Sequence, residues 1–322
     1  MIIAEIGINH EGDLSKATKM IRDIYHSGCT VVKHQTHIPE DEMIPNDIIP
    51  SNANESIWNM MQRCAISEKD ERYLKLYTEA LDMTYLSTPF SREAVDRLER
   101  MNVSMYKIGS GELNNYPLVR YIVDTGKPII LSTGMNDFDT IDKAVDIIGD
   151  QLHTILHCVS MYPTPYDKVN LNRMLQLGER YGKPFGLSDH SKGIYTSLAA
   201  IALGASVVEK HFTSSKEWSG ADIPISITPD ELAELVRGDR AIRDALHYNG
   251  SDDQDKTAQF AYASIVSIKD IKAGERLTTD NIWVKRPGGG IPAEYYEGTL
   301  GLCAKIDIDK NTQIRKDDIW KT

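Results

Sequence analysis

Residues 2–35 read IIAEIGINHEGDLSKATKMIRDIYHSGCTVVKHQ, and this stretch decides the fold. An aliphatic run, Ile2–Gly7, leads into an amphipathic stretch, Leu14–Ser27, and then into a β-branched run, Val31–Gln35. Helically spaced apolar positions between two short β-branched runs predict a strand–helix–strand unit with parallel strands. The first turn, Gly7-Ile-Asn-His-Glu-Gly12, lacks the GxGxxG pattern, which argues against a doubly wound open sheet.

The unit repeats along the chain. Further strand-like runs are Met83–Pro89, Met105–Ser110, Pro128–Thr133, Thr154–Cys158, Pro184–Asp189 and Val207–Phe212. Helical patterns fill the gaps, among them Lys69–Leu81, Ser91–Arg100, Tyr116–Thr125, Thr140–Ile148 and Ile194–Leu203. Eight strands alternating with helices over about 240 residues predict a (β/α)8 TIM barrel, here over residues 1–246. Residues 247–259 are polar, without a hydrophobic run, and read as a linker. Residues 260–322 carry short strand-like pieces (Tyr262–Ile268, Trp283–Lys285, Leu302–Ile308) between turn signals such as Pro287-Gly-Gly-Gly290, and read as a small β-rich domain.

The 322 residues are 41% apolar and 26% charged, the profile of a globular protein rather than a disordered or fibrous one. With 36 Lys and Arg against 47 Asp and Glu the net charge is −11, so neither nucleic acid nor an anionic membrane is an expected partner. An anionic ligand would have to be held by individually placed cations. Cys29, Cys64, Cys158 and Cys303 are widely spaced, form no CxxC and follow no signal peptide, which predicts free thiols in the cytoplasm. The longest nearly apolar stretch, Ser197–Val208, falls short of the roughly 20 residues that span a bilayer.

Catalytic groups of such barrels sit at the C-terminal ends of the strands. Those ends offer Glu5, then Lys33 and Gln35, Ser87 and Thr88, Lys107 and Ser110 with Glu112 beyond, Ser132 and Thr133, Ser160 and Tyr162, Ser188 with Asp189 and His190, and Glu209 with His211. Period-two alternation puts Lys33 with Gln35, and Glu209 with His211, on one face of their strands. A lysine inside an apolar strand is costly unless paired or bound to ligand, so Lys33 and Lys107 predict either an anion cradle or structural Lys–Glu pairs. His190 and His211 end neighbouring strands and suit a borderline divalent metal or a hydrogen-bonded pair. His10 is either a third site residue or a turn residue, and His34 and His37, which flank Gln35, are expected to support the site residues rather than to ligate. No catalytic cysteine or serine signature is present, while Schiff-base chemistry on a strand lysine stays open.

The motifs Glu5-Ile-Gly-Ile-Asn-His-Glu-Gly12, Val32-Lys-His-Gln-Thr-His-Ile38, Tyr106-Lys-Ile-Gly-Ser-Gly-Glu112, Leu131-Ser-Thr-Gly-Met135, Tyr162-Pro-Thr-Pro165, Gly186-Leu-Ser-Asp-His190 and Val208-Glu-Lys-His-Phe212 together resemble the bacterial N-acetylneuraminate (sialic acid) synthase family. Phe260-Ala-Tyr-Ala-Ser264, Asp270-Ile-Lys-Ala-Gly274 and Trp283-Val-Lys-Arg-Pro-Gly288 resemble its antifreeze-like (SAF) domain. The resemblance implies condensation of phosphoenolpyruvate with open-chain N-acetylmannosamine, releasing phosphate by C–O cleavage. It implies a divalent metal, Mn2+ first and Mg2+ or Co2+ next, on His190 and His211. Glu5, Glu112, Lys33 and Lys107 become the expected catalytic residues. Substrate contacts are expected from Gln35, Thr88, Ser110, Ser132, Ser160, Tyr162, Ser188, Glu209, Asp222 and Phe260, where Phe260 has ordinary packing as its alternative. Ser160 departs from the Asn of close relatives. Arg286 is expected to reach the partner subunit's site in a domain-swapped homodimer. Sister reactions yield legionaminic or pseudaminic acid, or use a phosphorylated sugar. A Schiff-base aldolase and a sugar- or ice-binding protein are the readings from other classes.

Overall fold

The computed structural model describes residues 1–247 and 255–320. The chain divides between His247 and Tyr248 into two units. In the first, eight parallel strands close into a barrel: β1 (Ile2–Glu5), β2 (Val31–Thr36), β3 (Thr84–Pro89), β4 (Tyr106–Ile108), β5 (Ile129–Ser132), β6 (Leu152–Cys158), β7 (Phe185–Asp189) and β8 (Val207–His211). Strand β8 pairs back onto β1, with Glu5 in register with His211. All eight expected runs are strands. The shortest, β4, loses its expected end because Gly109 and Ser110 turn away, Gly109 carbonyl accepting the Glu112 amide at 3.1 Å.

Alternation along the strands builds the barrel interior in layers. Ile3, Val31, Leu86, Ile130, Leu156 and Val207 form an apolar plug with Met105. Two residues further along each of those strands stand Glu5, Lys33, Thr88, Ser132, Cys158, Glu209 and Lys107, so the polar layer rests on the plug. The plug leaves no room for a side chain at position 186. A Cβ on Gly186 would lie 1.9 Å from the Val207 carbonyl oxygen.

The opposite strand face is mostly apolar, as expected for a parallel sheet covered by helices. Ala4, Val32, Leu187 and Val208 pack against Met20, Ile21 and Ile24 of the helix Leu14–His26 and against Leu232 and Leu235 of Pro229–Leu246. Fully burying one such side chain stabilises by about 1.5–3 kcal/mol. Asp13 starts the first of these helices by accepting the Ser15 and Lys16 amides at 2.8 and 3.2 Å. Between β2 and the helix Glu68–Ala80 the chain adds two short helices, Pro39–Glu42 and Ile57–Cys64, which the strand–helix pattern does not predict. No helix among the described residues is long and apolar enough to cross a membrane.

In the second unit β9 (Ser264–Ser267) pairs antiparallel with β10 (Ile282–Lys285), and β11 (Cys303–Ala304) with β12 (Ile319–Trp320). Ile265, Ile271, Leu277, Ile282, Ile308 and Ile314 form its core. The expected piece Leu302–Ile308 contributes only the two-residue β11 and an isolated bridge from Ile308 to Ile271. Of the expected linker 247–259, His247 caps the helix Pro229–Leu246, positions 248–254 lie outside the described residues, and positions 255–259 enter a short helix, Asp255–Ala261.

Candidate active site

The C-terminal mouth of the barrel holds a cavity of about 480 Å3, within the roughly 300–1,000 Å3 usual for small-molecule sites. Lys33, Gln35, Thr88, Lys107, Ser110, Ser132, Ser160, Tyr162, Ser188, His190, Glu209, His211 and Asp222 all line it. Glu5 lies directly behind Gln35 and Lys33, fully buried. Glu112 is half-buried, accepts from the Asn115 amide at 2.8 Å, and stands next to the lining residue Gly111. Phe260 and Arg286 belong to the second unit, where both are exposed.

Two buried ion pairs form the polar layer. Lys33 Nζ lies 2.7 Å from Glu5 Oε2 and donates to Thr88 Oγ1 at 3.3 Å. Lys107 Nζ donates to Ser132 Oγ at 2.6 Å and stands 3.6 Å from Glu209 Oε2, which has no hydrogen-bond partner. Ser188 Oγ donates to the other oxygen, Glu209 Oε1, at 2.9 Å. Burial lifts the Glu5 carboxyl above the ordinary carboxylate range, and Lys33 offsets this only in part. For Glu209 burial acts in the same direction, but Lys107 and Lys33 outweigh it and hold the carboxylate low. The two carboxyl groups are thus driven apart: Glu5 tends to keep a proton and Glu209 to stay charged.

Gly134 adds its backbone to this cradle beside Ser110 and Ser160. Its amide donates to Ser110 Oγ at 2.9 Å. A Cβ there would lie 2.6 Å from Ser160 Oγ and 2.9 Å from Ser110 Oγ, so glycine lets backbone and two hydroxyls face one small volume. Two lysines, four serine hydroxyls and the Thr88 hydroxyl make a donor-rich surface suited to an anion.

The rings of His190 and His211 are 5.3 Å apart, and Tyr162 stacks on His190 at 4.2 Å. His190 Nδ1 donates to the Val159 carbonyl at 2.9 Å and lies 3.7 Å from Cys158 Sγ; burial opposes a charge on the ring, but Cys158 and that carbonyl outweigh it and push the imidazole up to about 9, so Nε2 becomes a donor atom when a cation displaces its proton. His211 Nδ1 is buried without a hydrogen-bond partner, 3.5 Å from Asp222 Oδ2. Burial pushes the His211 imidazole well below its usual value, which keeps it neutral and able to ligate. Among the described residues no group of three or more His, Cys, Asp or Glu forms a ready metal cage. The chain therefore offers two imidazoles at the cavity, one of them with an unpartnered buried nitrogen, a set that fits a borderline divalent cation.

His10 is a turn residue: its Nδ1 accepts the Gly12 amide at 3.0 Å, and it does not line the cavity. Asp189, at the end of β7, points away from the cavity and pairs with Lys210. His37 does line the cavity, bridging Gln35 Oε1 at 2.9 Å and Glu42 at 3.0 Å. One wall is apolar, made by Ile8, Met43, Ile57, Met60 and Met61. Four of these five come from the inserted segment between β2 and its helix, and none carries a polar atom that would mark it in sequence.

Residues 20–251 match the NeuB family, and residues 262–319 match the SAF domain. The chain is 37% identical to the N,N'-diacetyllegionaminic acid synthase of Campylobacter jejuni over 330 residues, 98% of this chain and 99% of that protein. It is 33% identical to the pseudaminic acid synthase of Helicobacter pylori over 336 residues, 100% of this chain and 98% of that one. The crystal structure of the N-acetylneuraminic acid (sialic acid) synthetase of Leptospira borgpetersenii, in complex with citrate, is similar with a TM-score of 0.72 and 33% identity, over 79% of this chain and 87% of that one. The chain therefore belongs to the NeuB family of sialic-acid-type synthases and carries a SAF domain after its barrel.

Proposed function

We propose that the barrel condenses phosphoenolpyruvate with the open-chain form of N-acetylmannosamine and water, giving N-acetylneuraminate and phosphate. The observation that carries this reading is the convergence of Lys33, Lys107 and the cradle around Gly134 on the cavity that also receives His190 and His211. Lys33 and Lys107 neutralise the carboxylate and phosphate of phosphoenolpyruvate, and Ser110, Ser132, Ser160 and Ser188 orient them. C3 of phosphoenolpyruvate forms a bond to the aldehyde carbon, leaving C2 electron-poor. Water adds at C2, and the resulting phosphate hemiketal collapses to the ketone as the C2–O bond to phosphate breaks. Glu5, inclined to keep its proton, supplies the one that the aldehyde oxygen takes up and recovers one from the water added at C2. Gln35, Tyr162 and Asp222 hold the sugar, with Glu112 at the rim. A divalent cation held by His190 and His211, Mn2+ first and Mg2+ or Co2+ next, would polarise the aldehyde oxygen when bound.

Phosphate release from phosphoenolpyruvate, measured with Mn2+ and with each sugar separately, tests this. Release that depends on N-acetylmannosamine supports the reading; no release with any N-acylated mannose-type sugar overturns it. A second acceptor class, the 2,4-diacetamido sugars, is favoured by the apolar wall of Ile8, Ile57, Met60 and Met61, which suits a second acyl group or a deoxy carbon. A Schiff-base aldolase would instead give a borohydride-trapped pyruvate adduct on Lys107 or Lys33.

Arg286 is assigned to the site of a partner subunit in a homodimer, on the resemblance of Val284-Lys-Arg-Pro287. Mixing inactive Glu5→Gln with inactive Arg286→Ala protein should restore up to about a quarter of the activity if subunits exchange at random and sites are shared between two chains. No recovery on mixing, with exchange verified, removes the shared site. All four cysteines are buried free thiols, which supports a reducing cytoplasmic setting.

A further inference from the structure

Strand β7 alternates Ser188 and His190 inward with Asp189 outward, and β8 alternates Glu209 and His211 inward with Lys210 outward. Asp189 and Lys210 are register partners across the two strands. Lys210 Nζ lies 3.2 Å from Asp189 Oδ2, and neither side chain is more than 1% exposed. Asp189 also accepts the Ser191 amide at 2.8 Å on Oδ1, and the Thr196 and Ser197 hydroxyls at 2.6 and 2.7 Å on Oδ2. Lys210 Nζ donates to the Ser191 carbonyl. The backbone of Ser191 is thus held at its N–H by Asp189 and at its carbonyl by Lys210. Ser191 and Asp189 are the two neighbours of His190, and Lys210 immediately precedes His211.

We propose that Asp189 and Lys210 are positioning residues for the His190–His211 pair: a saturated ion pair behind the barrel wall fixes the backbone on both sides of one imidazole and directly before the other. The proposal rests on His190 and His211 being divalent-cation ligands. A buried ion pair is often no more stabilising than well-packed apolar residues of the same volume, so stability alone does not account for it. Partners that orient metal ligands from behind do account for it, since changing such partners weakens metal binding by about 10–100-fold.

The test is Mn2+ binding by metal-stripped full-length protein, read from the electron paramagnetic resonance of free Mn2+, beside KM for phosphoenolpyruvate. The double variant Asp189→Asn/Lys210→Met removes both charges without stranding one. It should weaken Mn2+ binding about 10–100-fold, while KM for phosphoenolpyruvate, set by Lys33 and Lys107 on other strands, moves less than about threefold when measured at saturating Mn2+. Thr196→Val, which removes one donor to Asp189 and leaves the ion pair, should weaken Mn2+ binding by a smaller factor and serves if the double variant does not fold. His211→Ala should abolish specific binding. Wild-type Mn2+ affinity in a folded double variant, or in Thr196→Val should the double variant not fold, overturns the positioning role while a defect in His211→Ala leaves the cation reading standing. Unchanged Mn2+ affinity in His211→Ala overturns both.

Discussion

Buried ion pairs stand on both faces of this barrel's strands, and they differ in how fully their polar atoms are used. On the inner face, Glu209 Oε2 faces Lys107 from 3.6 Å without a hydrogen bond, and His211 Nδ1 beside it has no partner. On the outer face, Asp189 accepts three hydrogen bonds besides its lysine, and Glu71 accepts from Thr36, Tyr85 and Arg97. A buried charge is costly wherever it is, so its presence alone does not mark a binding site. Unused capacity facing a cavity does: Glu209 Oε2 and His211 Nδ1 belong to residues that line the cavity, whereas the outer carboxylates are spent on the protein itself and the one unpartnered atom of those pairs, Arg97 Nε, belongs to a residue that does not line it.

The comparison breaks most visibly at Glu71. Replacing it with Ala leaves buried Arg97 without its carboxylate and Tyr85 without its acceptor and should cost about 3–5 kcal/mol of unfolding free energy in urea titrations, while activity per folded molecule stays near wild type. Lys107→Met should behave in the opposite way. Glu209 keeps Ser188 and faces Lys33, so the fold is largely kept, but turnover should fall by about 10²–10³ through loss of a donor to the developing phosphate charge. If Lys107→Met lost only stability, the inner pairs would be structural after all.

Proton linkage gives the next effect. Burial drops His10 from its usual 6.5 to about 4, so between those values the unfolded chain binds a proton that the folded chain does not. Stability should therefore fall as the pH drops from about 6.5 toward 4, by at most about 3 kcal/mol from this residue. Urea titrations of His10→Asn should show a shallower fall with pH than wild type. The smallest expected effect concerns the apolar wall. Met61→Ser should raise KM for the preferred acceptor about tenfold or less, with KM for phosphoenolpyruvate unchanged in steady-state assays.

The strands and the two faces were legible because β-branched runs and period two carry that information directly. Lys33, Gln35, Glu209 and His211 follow from it. What alternation alone does not say is which face is the inside, so Asp189 stood beside Ser188 and His190 as an equal candidate until register separated them. The helices Pro39–Glu42 and Ile57–Cys64 do not follow from the pattern because they interrupt a regular alternation with short pieces. They supply most of the wall that the acceptor sugar would meet. His37 supports Gln35, as its place beside that residue suggests, and also lines the cavity, because it directly follows β2 and its side chain folds back onto Gln35.

The acidic composition also takes on a local meaning. At net −11 the chain as a whole repels anions, but at the mouth of the barrel two lysines and a ring of hydroxyls face one cavity. Burial there helps to keep Glu5 neutral, which spares phosphoenolpyruvate one opposing charge.

The central claim is that phosphate leaves with its bridging oxygen, by cleavage of the C2–O bond after the new carbon–carbon bond has formed. Phosphoenolpyruvate carrying 18O in the C2–O–P bridge, turned over with Mn2+ and an N-acylated mannose-type sugar, tests it by mass spectrometry of the products. The account predicts 18O in the released phosphate, and release only when the sugar is present. Label retained on C2 of the keto product or of pyruvate, with unlabelled phosphate, would contradict it.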